Sequence, residues 1–279
     1  MKKFIILLFA AVGSLLVSAQ ITHEFSIQGG GGLSTFNYKL SSGKRLYRGG
    51  GDVGISYTCF FIEKLGLRIG ADIGFYNNKA ELDGAEVITP GLVDSDNDRF
   101  DMYSTLKDYT ETQKNIFLNI PVMAQFQTKK FYLMGGIKVG IPLSSKYSVS
   151  GNTTLTNKGY YTDIDCFTPT PEFAGFGTFK NKSLEEKIPF KVSVTLALEM
   201  GLRWKFGNHL ALYAGLYFDY GLNNIIPKDY SFINYDASID YSEVENHEKL
   251  TQNSALPSLT EKMNLMAAGL KLRFAFKYP

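Results

Sequence analysis

The 279-residue sequence predicts an all-β chain, an eight-stranded antiparallel up-and-down transmembrane β-barrel with long external loops. Three observations carry this expectation. Eight segments alternate apolar and polar residues with period two, a segregation that strands produce and helices cannot. Short and long connections between those segments alternate strictly, as they do in membrane barrels with tight turns at one end and loops at the other. The chain also opens with an export signal, and no later run approaches the 18 apolar residues of a membrane-crossing helix.

Lys2 and Lys3 form a positive start, and Phe4 to Val17 form an apolar run interrupted by Gly13 and Ser14. Val17-Ser18-Ala19 then places small residues before Gln20, as a cleavage site requires. Residues 1–19 are expected to be a removable signal peptide and 20–279 one barrel domain. A lipoprotein would need a cysteine just after the cleavage site, where Gln20 stands.

The strands follow in order. The first runs from Phe25 to Phe36 through the Gly29–Gly32 run, and the second, Asp52 to Phe61, sets Val53, Ile55, Tyr57 and Cys59 on one face. In the third, Leu67, Ile69, Ala71, Ile73 and Phe75 oppose Arg68, Gly70, Asp72 and Gly74. The fourth carries Ile116, Leu118, Ile120, Val122, Ala124 and Phe126, and the fifth Phe131, Leu133, Ile137, Val139 and Ile141 against Tyr132, Lys138 and Gly140. The sixth is the clearest: Val192 to Phe206 alternates without a break, Leu198 and Trp204 on one face, Glu199 and Arg203 on the other. The seventh, from Leu210 to Tyr220, and the eighth, from Met266 to Tyr278, repeat the pattern. Short links fall near 63–65, 128–130 and 207–208, with a moderate one at 39–48 and long ones at 79–112, 143–190 and 223–262. Ten strands stay open if a long loop hides a hairpin.

The apolar faces end in aromatics, giving a lipid-facing girdle of Trp204, Phe206, Phe218, Tyr220, Phe274, Phe276 and Tyr278. The opposite faces are rich in glycine and hold Arg68, Lys138, Arg203, Lys271 and Arg273 against Asp52, Asp72, Glu199 and Asp219. A water-soluble barrel of eight strands would have to pack every Leu, Phe and Trp into a narrow interior, so the charged face is assigned to the lumen. Those charges are expected to pair and plug it, with Glu199 reaching Arg203 along its own strand and Asp219 lying between the basic residues of strands six and eight. An export signal followed by such a barrel places the chain in an outer membrane, with lipid as its surroundings. Without Lys2 and Lys3 the chain has 27 basic and 27 acidic residues, so no bulk charge draws it to nucleic acid.

Several short motifs resemble one known family. Asn119-Ile120-Pro121-Val122, the stretch from Phe131-Tyr132-Leu133-Met134-Gly135-Gly136 to Pro142-Leu143-Ser144, and Gly221-Leu222-Asn223-Asn224-Ile225 are similar to the small PorT-like barrels of Bacteroidota, also termed outer-membrane-protein β-barrel domains. The Ser18-Ala19-Gln20 junction has the same look. The resemblance implies a barrel without an established activity. It offers, as an alternative role, an accessory component of a type IX secretion machine.

Candidate chemistry is sparse, and neither an enzyme nor a cofactor is expected. His23 and His209 fall at strand starts on the turn side, and His247 in the last loop near Asp236, Asp240, Glu243 and Glu245. None stands beside a serine on a strand, as a barrel lipid hydrolase would need. A small porin or a surface-lipid enzyme is the third reading. Asp94, Asp96 and Asp98 open like a calcium loop, but Arg99 replaces the glycine and Thr105 the glutamate, so a hydrated acidic loop is favoured. Cys59 and Cys166 are expected to stay unpaired. Loop aromatics Tyr160, Tyr161, Phe167, Phe173, Phe176 and Phe179 are read as packing on one another, with a surface ligand or envelope partner as the competing use.

Overall fold

A computed structural model describes residues 21–40, 42–150, 153–180, 184–243, 250 and 253–278. The expected signal peptide, His247 and Glu245 lie outside the described residues. The strands in chain order are β1 (Thr22–Asn37), β2 (Lys44–Ile62), β3 (Leu65–Leu82), β4 (Ala85–Val93), β5 (Arg99–Lys107), β6 (Tyr109–Gln127) and β7 (Phe131–Ser150). Then come β8 (Thr154–Tyr161), β9 (Cys166–Thr168), β10 (Gly177–Lys180), β11 (Leu184–Lys187), β12 (Ser193–Phe206), β13 (Leu210–Gly221) and β14 (Asn264–Tyr278). A short helix, Ala255–Leu259, is set in the last loop.

Eight of these strands close a ring in the order β1-β2-β3-β6-β7-β12-β13-β14, and β14 pairs back onto β1 antiparallel. The hairpins β2–β3, β6–β7 and β12–β13 turn tightly at one end, which is the periplasmic end of such a barrel. The expected count of eight holds. The long loops do hide hairpins, but these build a second sheet, β10-β8-β5-β4 with β9 added to β8, outside the ring. The ten-strand alternative is thereby excluded.

Outward positions in the ring are apolar and exposed, among them Ile55 at 63%, Leu270 at 66% and Met200 at 57%. On β6 the outward apolar residues run from Ile116 to Phe126, ten residue steps. At about 3.3 Å per step and a tilt of about 40°, that is roughly 25 Å of height, the thickness of an outer-membrane apolar band.

The strands continue beyond this band, and here the sequence reading needs correction. β2 begins at Lys44 rather than Asp52, β3 reaches Leu82, β6 begins at Tyr109 and β7 reaches Ser150. Above the membrane the pattern inverts. Lys79, Lys114 and Lys146 turn outward, while Ala80, Leu82, Tyr109, Tyr147 and Val149 turn inward. Their inner faces join Phe100 and Phe179 of the second sheet, Phe176 just before β10, and Ile225, Phe232 and Leu256 of the last loop in one apolar core. The barrel is therefore polar inside at membrane depth and apolar inside above it.

Candidate functional site

At membrane depth, side chains from strands that are not neighbours in the ring meet in the lumen, two pairs bridging over one intervening strand and one pair crossing from β3 to β12. Lys138 Nζ on β7 lies 2.6 Å from Asp219 Oδ2 on β13, and Lys271 Nζ on β14 lies 2.9 Å from Asp52 Oδ2 on β2. Arg68 Nη1 on β3 faces Glu199 Oε2 on β12 at 3.7 Å. All six side chains are at most 5% exposed. Burial on this scale demands partners, because an unpaired charge out of water costs several kcal/mol, by order of magnitude.

Two expected pairings are corrected. Glu199 meets Arg68 instead of Arg203, and Asp219 meets Lys138 on β7 instead of the basic residues of β12 and β14. Four residues along one strand separate Glu199 from Arg203 by about 13 Å, whereas the narrow ring brings β3 within reach of β12 and β7 within reach of β13 over the intervening strand. Asp72 accepts a hydrogen bond from Asn119 Nδ2 at 2.8 Å, and that amide also reaches Tyr76 Oη at 3.1 Å. The lumen is narrow because glycines admit these groups: a Cβ on Gly74 would lie 2.5 Å from Asn119 Nδ2.

Aromatic rings carry Arg273 and Arg203 and also cover Lys271. Arg273 lies over Tyr213 at 3.9 Å and Tyr132 at 5.5 Å, and donates to Gln125 Oε1 at 3.0 Å. Arg203 lies 5.5 Å from the Tyr213 ring and donates to the Thr128 carbonyl, and Lys271 lies over Tyr217 at 5.0 Å. Cation–π contacts of this kind strengthen when water is excluded. Tyr132 donates to Glu199 at 2.8 Å, and Tyr213 to Glu24 at 2.9 Å. Glu24 and these tyrosines were missed as site residues, although the alternation of Glu24, Ser26 and Gln28 carried the signal. A residual cavity of about 10 Å³ bordered by Arg68, Asp72 and Lys138 has room for about one water.

Of the girdle residues, Trp204, Phe206, Phe274, Phe276 and Tyr278 gather toward the turn end, joined by Phe25, which packs on Tyr57 and Tyr278. Phe218 and Tyr220 stand near the loop end, and all seven are exposed on the outer face.

The external core is pinned by one carboxylate. Glu111 on β6 lies above the apolar band and is fully buried. It accepts from Tyr109 Oη at 2.7 Å, Gln113 Nε2 at 2.6 Å, Ser254 Oγ, and the Ala255 backbone at 3.0 Å. Burial pushes this carboxyl above the usual carboxylate range, against the pull of the four donors. The last loop is thus hydrogen-bonded to the barrel wall.

The acidic loop does not gather its three carboxylates. Asp94 Oδ1 accepts from the backbone of Asp96 and Asp98, both at 2.9 Å, and its Oδ2 accepts from Tyr161 Oη at 2.8 Å. Asp94 is spent on closing the β4–β5 turn, and the described residues contain no group of three metal-ligating side chains. His23 contacts Tyr57 Oη at 2.5 Å and stands opposite Cys59 in the β1–β2 ladder, and His209 contacts the Lys277 carbonyl at 3.2 Å. Cys59 and Cys166 are free. Of the loop aromatics, Phe176 and Phe179 are buried, while Phe167 and Phe173 are more than half exposed. Phe167 packs at a tilt on Tyr160 at 4.6 Å and edge-on against Tyr103 at 5.1 Å on the outward face of the second sheet.

Among solved structures the chain is similar to the attachment invasion locus protein Ail of Yersinia pestis, crystallised with the heparin analogue sucrose octasulfate. Identity is 11%, coverage 92% of this chain and 99% of that chain, and the TM-score 0.33. It is also similar to Neisserial surface protein A (12% identity, 91% and 97% coverage, TM-score 0.32). The outer membrane protein OprG of Pseudomonas aeruginosa gives 12% identity, 93% and 96% coverage, and a TM-score of 0.31. A comparison with curated proteins finds no match. A family model described as outer membrane protein beta-barrel domain matches residues 18–227, from before β1 to beyond β13. An eight-stranded ring with an apolar exterior and a match over most of its length give the assignment: the chain belongs to the outer membrane protein β-barrel domain family and resides in the outer membrane.

Proposed function

We propose that this protein is a non-enzymatic outer-membrane barrel whose lumen is closed to ions and whose folded loops form a surface for contacts outside the cell. The observation that carries the reading is the interior itself. Three buried ion pairs fill the lumen at membrane depth, Arg68 with Glu199 spanning it, and an apolar core lies above them. An ion would have to displace buried charge pairs and then cross a dehydrated layer. The outward aromatic cluster of Tyr103, Tyr160 and Phe167 is the surface offered for recognition. Residues 1–19 are removed on export in this reading, and a mass measurement of the mature protein checks that step.

Planar-bilayer recording of the purified protein tests the closed lumen. The expected trace is silent, and a steady, large, weakly selective conductance would overturn the reading. Purification in mild detergent tests the role. A barrel recovered alone fits the proposal, whereas a stoichiometric envelope partner would move it to a PorT-like accessory of a secretion machine.

A further inference from the structure

Where the strands leave the apolar band at the loop end, one side of the outer wall is basic. Lys114 on β6 stands directly opposite Lys146 on β7, and Lys146 directly opposite Lys187 on β11. All three are exposed. Like charges facing one another across strands destabilise a sheet, so three in a row point to something that neutralises them. Within the described residues only Lys146 has an ion-pair partner, Glu185 at 3.0 Å, and both are at least half exposed. Beside Lys114, an irregularity between Tyr47 and Gly51 of β2 opens a polar hollow of about 310 Å³. Arg48, Asn77, Thr112 and Lys114 line it.

Height identifies the occupant. Lys114 is two residues beyond Ile116, the last apolar outward residue of β6, which places it within about 7 Å of the band edge. That is the headgroup level of the outer leaflet. On the other side of the barrel Phe218 and Tyr220 occupy the loop end of the apolar face, so the charge is lateral and not a uniform belt. A concave, hydroxyl- and amide-lined hollow with two cations, extended by a lysine row in the membrane plane, suits a phosphate ester whose acyl chains lie on Ile116 and Leu118 below.

We propose that the face formed by β2, β3, β6, β7 and β11 binds the phosphorylated headgroup of an outer-leaflet lipid. Arg48 and Lys114 take one phosphate in the hollow, and Lys146 and Lys187 take neighbouring negative charge. This site depends on the outer-membrane location and is independent of whether the lumen is closed.

The full folded protein in zwitterionic micelles, doped with a diphosphorylated glucosamine lipid, provides the test, with native mass spectrometry reading retained lipid. Retention should fall about fivefold for each lysine converted to glutamine, and about a hundredfold for K114Q/K146Q/K187Q. The triple arginine variant should retain lipid as wild type does. Gel mobility of unheated samples reports that each variant is folded. Equal retention of the dephosphorylated lipid, or undiminished retention by the folded triple glutamine variant, would overturn the proposal. Displacement of the lipid by an equal concentration of inorganic phosphate would also overturn it, since the site would then read a free anion and not a lipid.

Discussion

Asp219→Asn is the sharpest single test of how the lumen is held. The substitution keeps the shape of the side chain and removes the charge facing Lys138 at 2.6 Å, with both groups under 5% exposed. At that distance the attraction is about 6 kcal/mol for an effective dielectric of about 20. Asp72 borders the same cavity and recovers part of it. Breaking a buried pair from one side typically costs about 3–5 kcal/mol, so a loss near 3 kcal/mol is expected. The charge-free pair Lys138→Met with Asp219→Leu should stay within about 1 kcal/mol of the wild type, because no buried ion is left behind. Urea titration of the barrel folded into phosphatidylcholine vesicles measures both, followed through Trp204, the single tryptophan, on the lipid face. A D219N protein within about 1 kcal/mol of wild type would refute the reasoning, as would a double variant as unstable as the single one.

Four further outcomes are expected. Leu198→Arg and Leu270→Arg, on the lipid face near mid-strand, should each cost about 2–4 kcal/mol in the same vesicles; values near zero would contradict the inside-out assignment. Ser193→Arg on the inner face should not be mild either, since Ser193 is 1% exposed against Gly140, and overpacking there costs about 1–3 kcal/mol. A membrane-impermeant thiol reagent applied to intact cells should label the exposed Cys166 and spare Cys59, and labelling of Cys59 alone would invert the orientation. Glu111 gives a pH test with a definite sign. Its carboxyl is raised in the folded state, so its contribution is full below the unfolded value and is lost as pH rises through the folded one. Amide exchange at Ala255, corrected for intrinsic rates, should quicken with rising pH, and Glu111→Gln should flatten that dependence; slowing with pH in the wild type would refute it.

The ring was legible because lipid and lumen impose opposite chemistry on alternate residues, and Val192 to Phe206 records that alternation without a break. Above the membrane the same period persists with its polarity reversed. Tyr109, Glu111 and Gln113 point inward while Thr112 and Lys114 point outward. An apolar-out pattern therefore stops short of this segment, and the sequence places Tyr109, Glu111 and Thr112 in a long connection. The lumen charges could be named from their faces, but their partners could not. Arg68 and Glu199 are 131 positions apart in sequence and meet only because the ring closes with a particular circumference. Residues that act through rings and amides, such as Tyr132, Tyr213 and Asn119, gave no distinct signal beyond lying on the polar face. Asp94, Asp96 and Asp98 showed the reverse problem: a metal-like spacing in sequence that a four-residue turn consumes through its own backbone.

The two interior layers also depend on one another. Charge pairs alone would tolerate water entering from the loop end, because each carries hydrogen-bonding capacity that water can satisfy. The apolar core above them removes that supply, and the core in turn holds only if the last loop stays down. Glu111 links the two requirements. Two of its donors, Tyr109 and Gln113, belong to the barrel wall, and two, Ser254 and Ala255, belong to the loop. Lifting the loop would strip half the donors from a buried carboxylate while uncovering Leu256 and its neighbours, so the cost of partial opening exceeds that of either loss alone. Loop and wall should therefore unfold as one unit, and the strand extensions above the membrane exist to give that unit its wall.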